Sequence, residues 1–403
     1  MNFTILTQYY PPEIGAPQAR LSELARRIAD RGNKVTILTA MPNYPTGRIY
    51  PGYGGLITRE DKQGITLIRT AIYPTQTARF ALRMLNYMSF VASSAVFGSA
   101  LLPPTDYLLV ESPPLFLGLS AIWLSIIRRA RLIFNVSDLW PESAVQLGIV
   151  QTGTLSHRLA SSLEALCYKR AWLVTGQSRT ILQDIEQRFP NVKTYHLSNG
   201  ADTSRFHPQL YSQEIRSTLS QPDKLIVLYA GLHGLAQGLD QILDAANAQS
   251  SDSTLQFVFI GDGPEKAQLM RKADELKLAN VKFLPPLPSS DIPPYIASAD
   301  IIMVTLKKYI PGAVPSKIYE AMASSRPVIL VADGEAAAII RDNDAGIVVR
   351  PGDTAGLGEA LRLLQNDPEL RTRLGTNGRH AAEKYFNRDL IASQFSEYLE
   401  SRL

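Results

Sequence analysis

Apolar and polar positions along this chain follow two periods. Short apolar runs stand at Phe3–Thr7, Val35–Thr39, Ile65–Arg69, Tyr107–Val110, Leu132–Val136 and Leu173–Thr175. A second series follows at Leu225–Tyr229, Gln256–Ile260, Val281–Leu284, Ile301–Val304, Val328–Val331 and Gly346–Val349. These read as strands. Between them the spacing widens to that of helices. In Gln18–Asp30, Leu21, Leu24 and Ile28 share one face, and Gln237–Ala248, Pro264–Lys277 and Ala355–Leu364 are further helical stretches. Strands that alternate with helices predict parallel sheets covered on both faces. The fold class is therefore α/β, in two similar doubly wound halves. Turn-forming residues at Ser198-Asn199-Gly200-Ala201-Asp202 mark the joint. We expect a first domain over 1–198, a second over 199–384, and a C-terminal helix at about 385–403 that packs back on the first.

In such sheets ligands bind beyond the carboxyl ends of the strands. Glycines mark several of these ends: Gly15 after the first strand, Gly231 and Gly234 at the start of the second half, Gly261 and Gly263 in IGDGPE. Glycine there permits tight turns and close approach of backbone to a ligand. No G-x-G-x-x-G with a suitably placed acid follows, so a dinucleotide site is not indicated. The most informative segment is Pro315-Ser316-Lys317-Ile318-Tyr319-Glu320-Ala321-Met322-Ala323, a loop entering a short helix. Lys317, the unpaired N–H groups of a helix start and a carboxylate one turn on at Glu320 suit a phosphate and a diol, which a nucleotide-sugar pocket needs. The competing reading is an amphipathic helix capped by Ser316, with Lys317 and Glu320 as a solvated i,i+3 pair. Asp342-Asn343-Asp344 spells a DxD late in a helix-to-strand connection, where a solvated loop is expected.

Composition narrows the classes. A chain of 403 residues favours two domains. Hydrophobic content of 45% and charged content of 19% belong to a globular chain and argue against disorder. The single cysteine, Cys167, excludes a disulfide framework and a cysteine zinc site, and the five histidines show no metal-ligand spacing. No metal and no cofactor are expected. The formal net charge of +4 suits an anionic substrate or an anionic membrane surface. Nucleic acid is not expected, because no basic stripe with interleaved aromatics occurs. The start, MNFTILTQYY, reads as a first strand and not a secretion signal, so a cytoplasmic home is the expectation.

The order of motifs goes further. QYYPPEIGAPQARLSELARRIADRGNKVTILT opens the chain and LSNGADTSRFHP spans the joint. IGDGPEKAQL, NVKFLPPLPSSDIPPYIASADI, PSKIYEAMASSRPVIL and DAGIVVRPGD follow. Over nearly its whole length the chain resembles glycosyltransferase family 4, retaining enzymes of the GT-B fold. The resemblance implies two Rossmann-like domains facing across a cleft. It also implies sugar transfer from a nucleotide diphosphate with retention of configuration. VSDLWPES, AGLHGLAQGLD and VPSKIYEAMA are most similar to a branch that includes acetamido-sugar transferases of bacterial surface-polysaccharide assembly, such as the fucosamine transferases of O-antigen synthesis. A UDP-linked, N-acetylated hexosamine or deoxyhexosamine donor is implied. The implied acceptor is a growing glycan or a polyprenyl-diphosphate-linked one.

By this resemblance Glu320 holds the donor ribose, and Leu284 lies near the base. Further donor contacts are implied at Gly15, Asn199, Gly231, His233, Gly234 and Gly261, and along the loop Gly312, Ala313, Val314, Pro315 and Ser316. The chain departs from the family twice. Its first acid would fall at 312, where this chain has Gly312; its diphosphate-binding Arg and Lys would fall at Leu232 and Gln237. Lys317 is the best replacement cation by position. Asp138 ends a buried strand and is a candidate to stabilise the cationic sugar ring or orient the acceptor hydroxyl; a helix cap is its plainer role. Glu142 follows one turn later. Glu13 and Arg20 flank the Gly15 loop as candidate acceptor contacts, with surface ion pairing as the alternative. The rival functions are a GT-B sugar phosphorylase, a nucleotide-sugar epimerase and a non-catalytic sugar-nucleotide binding protein.

Met84 to Leu102 carries no charge over nineteen residues. That approaches spanning length, yet the stretch lies between two strands of one sheet. A helix buried in the first domain is expected. The alternative is an interfacial helix, with Arg79 and Arg83 at headgroups, Leu82, Leu85 and Phe90 dipping in, and Arg128, Arg129 and Arg131 in support.

Overall fold

A computed structural model describes residues 1–77, 79–146 and 151–403. The chain forms two compact units, Met1–Ser198 with Ile391–Leu403, and Asn199–Leu390. The first unit holds strands β1 (Asn2–Thr7), β2 (Lys34–Ala40), β3 (Ile57–Lys62), β4 (Ile65–Thr70), β5 (Tyr107–Ser112), β6 (Arg131–Val136), β7 (Leu173–Gly176) and β8 (Thr194–His196). Its helices are α1 (Ala16–Asp30), α2 (Phe80–Leu101), α3 (Leu117–Arg128), α4 (Glu142–Gln146), α5 (Leu155–Arg170) and α6 (Arg179–Arg188). The sheet order is β3-β4-β2-β1-β5-β6-β7-β8, and among the described residues only the β3–β4 pair is antiparallel. Successive strand residues point to opposite faces, so Ile5 joins a core with Leu21 and Ile28 of α1, while Leu6 joins one with Phe90 of α2 and Leu124 of α3. Ala392, Phe395 and Leu399 close the α1 side, and Tyr107 Oη donates to the Leu399 carbonyl at 2.8 Å.

The second unit carries β9 (Leu225–Ala230), β10 (Leu255–Ile260), β11 (Val281–Leu284), β12 (Ile301–Thr305), β13 (Val328–Val331) and β14 (Gly346–Val349), all parallel, in the order β11-β10-β9-β12-β13-β14. Its helices are α7 (Gln213–Leu219), α8 (Asp240–Ala248), α9 (Lys266–Glu275), α10 (Ile292–Ser298), α11 (Lys317–Ala323), α12 (Glu335–Asp342), α13 (Thr354–Asn366) and α14 (Pro368–Tyr385). A last helix, α15 (Arg388–Glu400), ends the chain. The strand order reverses beside β9, so the loops after β9 and β12 diverge at the sheet edge. This is where α/β sheets open a crevice for ligands.

All twelve expected strands are present. β3 and β8 are additional. ITREDK in β3 is polar and almost wholly exposed, and β8 has only three residues at a sheet edge, so neither carries a buried-strand pattern. The expectation of a buried 84–102 helix needs correction. Of α2, only Asn86, Phe90, Val91, Ser94 and Gly98 are buried. A helix on a sheet surface gives up one face, and the run Met84 to Leu102, without a charge, did not mark the other face of α2 as open. Phe90 is on the buried side and does not point outward. Arg128 donates to the Ser99 carbonyl at 2.7 Å, and the Arg131 guanidinium lies over the Tyr107 and Trp172 rings. Asp344, in the DxD, sits in a left-handed turn and pairs with Asn377 and Arg373, as a loop residue does.

Candidate functional site

In the second unit, three strand-end loops nest around Lys317. β9 is followed by Gly231, whose φ of 148° favours glycine. A Cβ there would run into Cε and Nζ of Lys317. Gly261, after β10, has φ 142°, and its own Cβ would strike the Gly231 carbonyl. The two glycines therefore let the β9 and β10 loops touch and leave a slot for the lysine. Lys317 Nζ rests 5.6 Å from the Tyr229 ring centroid, and no described group accepts a hydrogen bond from it. Burial pushes its pKa down, and the Glu320 carboxylate pulls it partly back. A partly desolvated ammonium of this kind gains most from an anion.

Glu320 lies one turn along α11 and is half-buried, with no partner to its carboxylate among the described residues. The plainer reading of this segment does not hold. Ser316 makes no capping hydrogen bond, and Lys317 and Glu320 form no ion pair. α11 has only seven residues, so the lysine charge is a stronger anion element than the helix start. The loop before it turns at Gly312 (φ 74°); Ala313 N–H bonds to the Ile310 carbonyl, and Ala313 and Val314 pack on the core. The Pro315 carbonyl accepts from Ile318 N–H.

Lys266, at the start of α9, donates to the carbonyls of Gly261 (2.7 Å) and Leu284 (3.1 Å). It fixes the ends of β10 and β11 to each other. Its signal in the sequence was only its place in IGDGPEK.

In the first unit, the ends of β5 and β6 carry a buried polar chain. Arg20 Nη2 donates to Glu111 Oε1 at 2.5 Å and to Ser137 Oγ at 2.8 Å. Ser137 in turn donates to Glu111, and Asn135 Nδ2 reaches Glu111 Oε2 at 2.5 Å. Thr175 Oγ1 donates to Asn135 Oδ1 at 2.7 Å. This chain holds Ser137 and so presents Asp138, whose carboxylate has no described partner. Burial raises the pKa of Asp138. A wall of rings stands near the β1 and β5 ends. Tyr9 lies 5.5 Å from Tyr44, Tyr87 stacks on Phe116 at 6.4 Å, and Phe116 meets Trp140 at 6.3 Å.

Comparison with known proteins names the chemistry. A Glycosyl transferase 4-like domain model matches residues 15–200, and a Glycosyl transferases group 1 model matches 212–381. The chain is a GT-B glycosyltransferase of the family 4 type. WcaI of Escherichia coli (strain K12), named as a colanic acid biosynthesis glycosyl transferase, is 25% identical over 333 residues, 80% of this chain and 81% of that one. The O-antigen chain mannosyltransferase C of Escherichia coli is 31% identical over 164 residues, 41% of this chain and 42% of that one. Anabaena HepE, solved with UDP, shares the fold at a TM-score of 0.74, with 20% identity and full coverage of both chains.

Several residues of this transferase sit differently from the sequence expectation. His233 is wholly buried among Tyr229, Phe259 and Phe283, so its ring faces the core and not a ligand. Its backbone holds the loop instead: His233 N–H bonds to the Asp262 carbonyl, and Glu265 N–H to the His233 carbonyl. Gly234 caps the following 3-10 turn in extended conformation. Asn199 gives its carbonyl to Arg388. Gly15 is extended, caps α1 and lies under Gln18 Oε1, so no special backbone freedom is needed there. Glu13 is not an exposed acceptor contact. Its carboxylate accepts from the backbone N–H groups of Tyr10, Asn43 and Tyr44 and pins two loops together. Glu142 approaches Arg188 (3.9 Å), which is already bidentate with Glu164. Arg20 acts through Glu111, a residue the sequence did not single out.

Proposed function

We propose that the transferase moves an N-acetylated hexosamine or deoxyhexosamine, with retention, from a UDP-linked donor to a lipid-linked or growing glycan in bacterial surface-polysaccharide synthesis. The observation that carries this reading is the slot at Gly231, where an ammonium without a hydrogen-bond acceptor waits beside an unpartnered carboxylate one helical turn away. Lys317 takes the diphosphate. Its cation–π contact contributes about 0.5–2 kcal/mol, and a charge-assisted bond to phosphate about 1.5–3 kcal/mol, so the phosphate competes well for the same ammonium. Glu320 accepts from the ribose diol. As the sugar–phosphate bond breaks, charge builds on the leaving oxygen, and a fixed cation lowers that barrier. Asp138 orients the attacking hydroxyl, and the Tyr9, Tyr44 and Tyr87 wall offers ring faces to an acceptor sugar.

The colanic acid and O-antigen roles for which WcaI and mannosyltransferase C are named support polysaccharide assembly, and the UDP and UDP-glucose complexes of HepE support the donor base. The acetamido sugar rests on the resemblance carried by VSDLWPES, AGLHGLAQGLD and VPSKIYEAMA together. Thermal shift tests the donor half, with UDP, GDP, ADP and UDP-acetamido sugars on the parent, Glu320→Ala and Lys317→Met. Ligand at 100 times Kd adds about 2.7 kcal/mol. A UDP-selective rise that both variants lose is expected. Equal responses to every base, or none, refute the UDP assignment.

A further inference from the structure

We propose that the outer surface of α2, α3 and α5 is a docking face for an anionic lipid bilayer, which these three helices meet lying in its plane. On α3, Trp123, Ile126 and Ile127 point outward, 46–59% exposed, while Leu117, Ala121 and Leu124 fill the core on the other side. A helix that is apolar on both faces is normally enclosed, and here one face is open. α2 repeats the pattern with Leu85, Met88 and Val96 exposed, and α5 with Leu155, Leu159 and Leu166. The helices that carry these stripes are packed neighbours. A Cβ at Gly98 of α2 would fall 3.0 Å from Leu124 of α3, and one at Gly118 of α3 would collide with Cys167 of α5. Trp123 Nε1 donates to Ser99 Oγ of α2 at 2.9 Å, which joins two stripes. Single exposed leucines are ordinary, whereas neighbouring stripes on three helices mark an interaction surface.

Charge selects the occupant. Across these helices and their flanks, Arg79, Arg83, Arg129, Arg158, Lys169 and Arg170 are exposed. The one acid on them, Glu164, is buried and held by Arg188. An apolar face fringed by cations alone matches acidic headgroups over an acyl layer. A second copy fits poorly, because a two-fold contact would set this cationic fringe against itself. A span is excluded by the other side of α2. Asn86 bonds to Gln8 and to the Tyr73 carbonyl, and Ser94 bonds to Ser120 of α3, so the helix is fastened along the sheet. The proposed lipid-linked acceptor gives this face its purpose and rests on that reading; the binding itself does not.

Co-sedimentation of the full chain with phosphatidylcholine vesicles, with and without phosphatidylglycerol, tests it. Binding to the phosphatidylglycerol vesicles that salt weakens is expected. Trp123→Glu with Leu159→Glu should lower the bound fraction about tenfold. Both side chains are exposed, and an unchanged Tm confirms that the variant is folded. Trp123→Phe should bind normally yet lose quenching by brominated lipid, a change that a folding defect would not give. No binding to acidic vesicles, binding untouched by the double variant, or a lipid-free dimer that the double variant dissolves would each overturn the proposal. Thermal shift with UDP reads the donor reading independently, so either can fail while the other stands.

Discussion

At Gly231 the space a Cβ would need is already filled by Cε and Nζ of Lys317. A glycine after β9 and a lysine beyond the neighbouring strand β12 thus share one slot. Gly231→Ala should expel the ammonium as well as strain a backbone at φ 148°. Losing one charge-assisted bond of about 1.5–3 kcal/mol weakens UDP by roughly ten- to a hundredfold. Calorimetric titration of Gly231→Ala and Lys317→Met should give similar losses. An alanine variant that binds UDP as the parent does would separate the two residues.

Lys266 joins the carbonyls of Gly261 and Leu284, so it sets the spacing between the β10 and β11 ends. Lys266→Met should raise the donor KM about tenfold with little change in kcat, since binding geometry loosens while the charged groups remain. It should also narrow the preference for UDP over ADP. Lys266→Arg, which keeps donors at the same place, should recover part of the preference, whereas a merely structural role would show in Tm alone.

How far these features could be read in advance depends on the distance over which each is made. The strand-end glycines and the Lys317–Glu320 turn are local, and the twelve buried strands announce themselves by composition. Glu111 looked like an ordinary strand residue, because its partners Arg20 and Asn135 lie 91 and 24 positions away. His233 looked like a ligand contact because it lies between Gly231 and Gly234, while its neighbours in space are Tyr229 of β9 and two rings from other segments, Phe259 and Phe283. α2 misled in the opposite direction. With no charge from Met84 to Leu102 to mark a solvent side, burial was the expectation, whereas Leu85, Met88 and Val96 run along an open face.

His233 makes stability depend on pH. Burial, reinforced by Lys266, lowers its pKa from 6.5 to about 4. The unfolded chain therefore takes up a proton that the folded chain refuses. The stabilisation is present above about pH 6.5 and is lost as pH falls towards 4. Neither ring nitrogen makes a well-formed hydrogen bond, and the Ile260 backbone gives only a weak polar contact, so His233→Phe removes a poorly satisfied polar pair and should cost less than about 1.5 kcal/mol at neutral pH. Its Tm should fall less on acidification than that of the parent. Parallel Tm–pH curves would contradict this account.

Arg20 and Glu111 form a buried pair, 11% and 3% exposed. Arg20→Met leaves the carboxylate without its cation and should destabilise by roughly 3–5 kcal/mol. Adding Glu111→Gln removes the stranded charge and should return part of that loss. Denaturant unfolding of the two single variants and the double variant measures the coupling. Additive losses would mean that the pair is not the unit that holds Ser137.

Asp138 pits stability against activity. Its carboxyl is held above the usual 3.8 by burial alone, with no cation or donor to offset the cost of ionising. The folded chain then binds a proton more firmly than the unfolded chain. Stability is full below pH 3.8 and declines as pH rises through the higher folded value. A charge kept at that cost has a use if it orients the attacking hydroxyl. Asp138→Asn should be at least as stable as the parent at neutral pH, should bind UDP unchanged, and should lose about a hundredfold or more in kcat. In the parent, kcat should rise with pH along an acidic limb above the ordinary carboxylate range, and the asparagine variant should lack that limb. An Asn variant of normal kcat would assign the transfer step to another group.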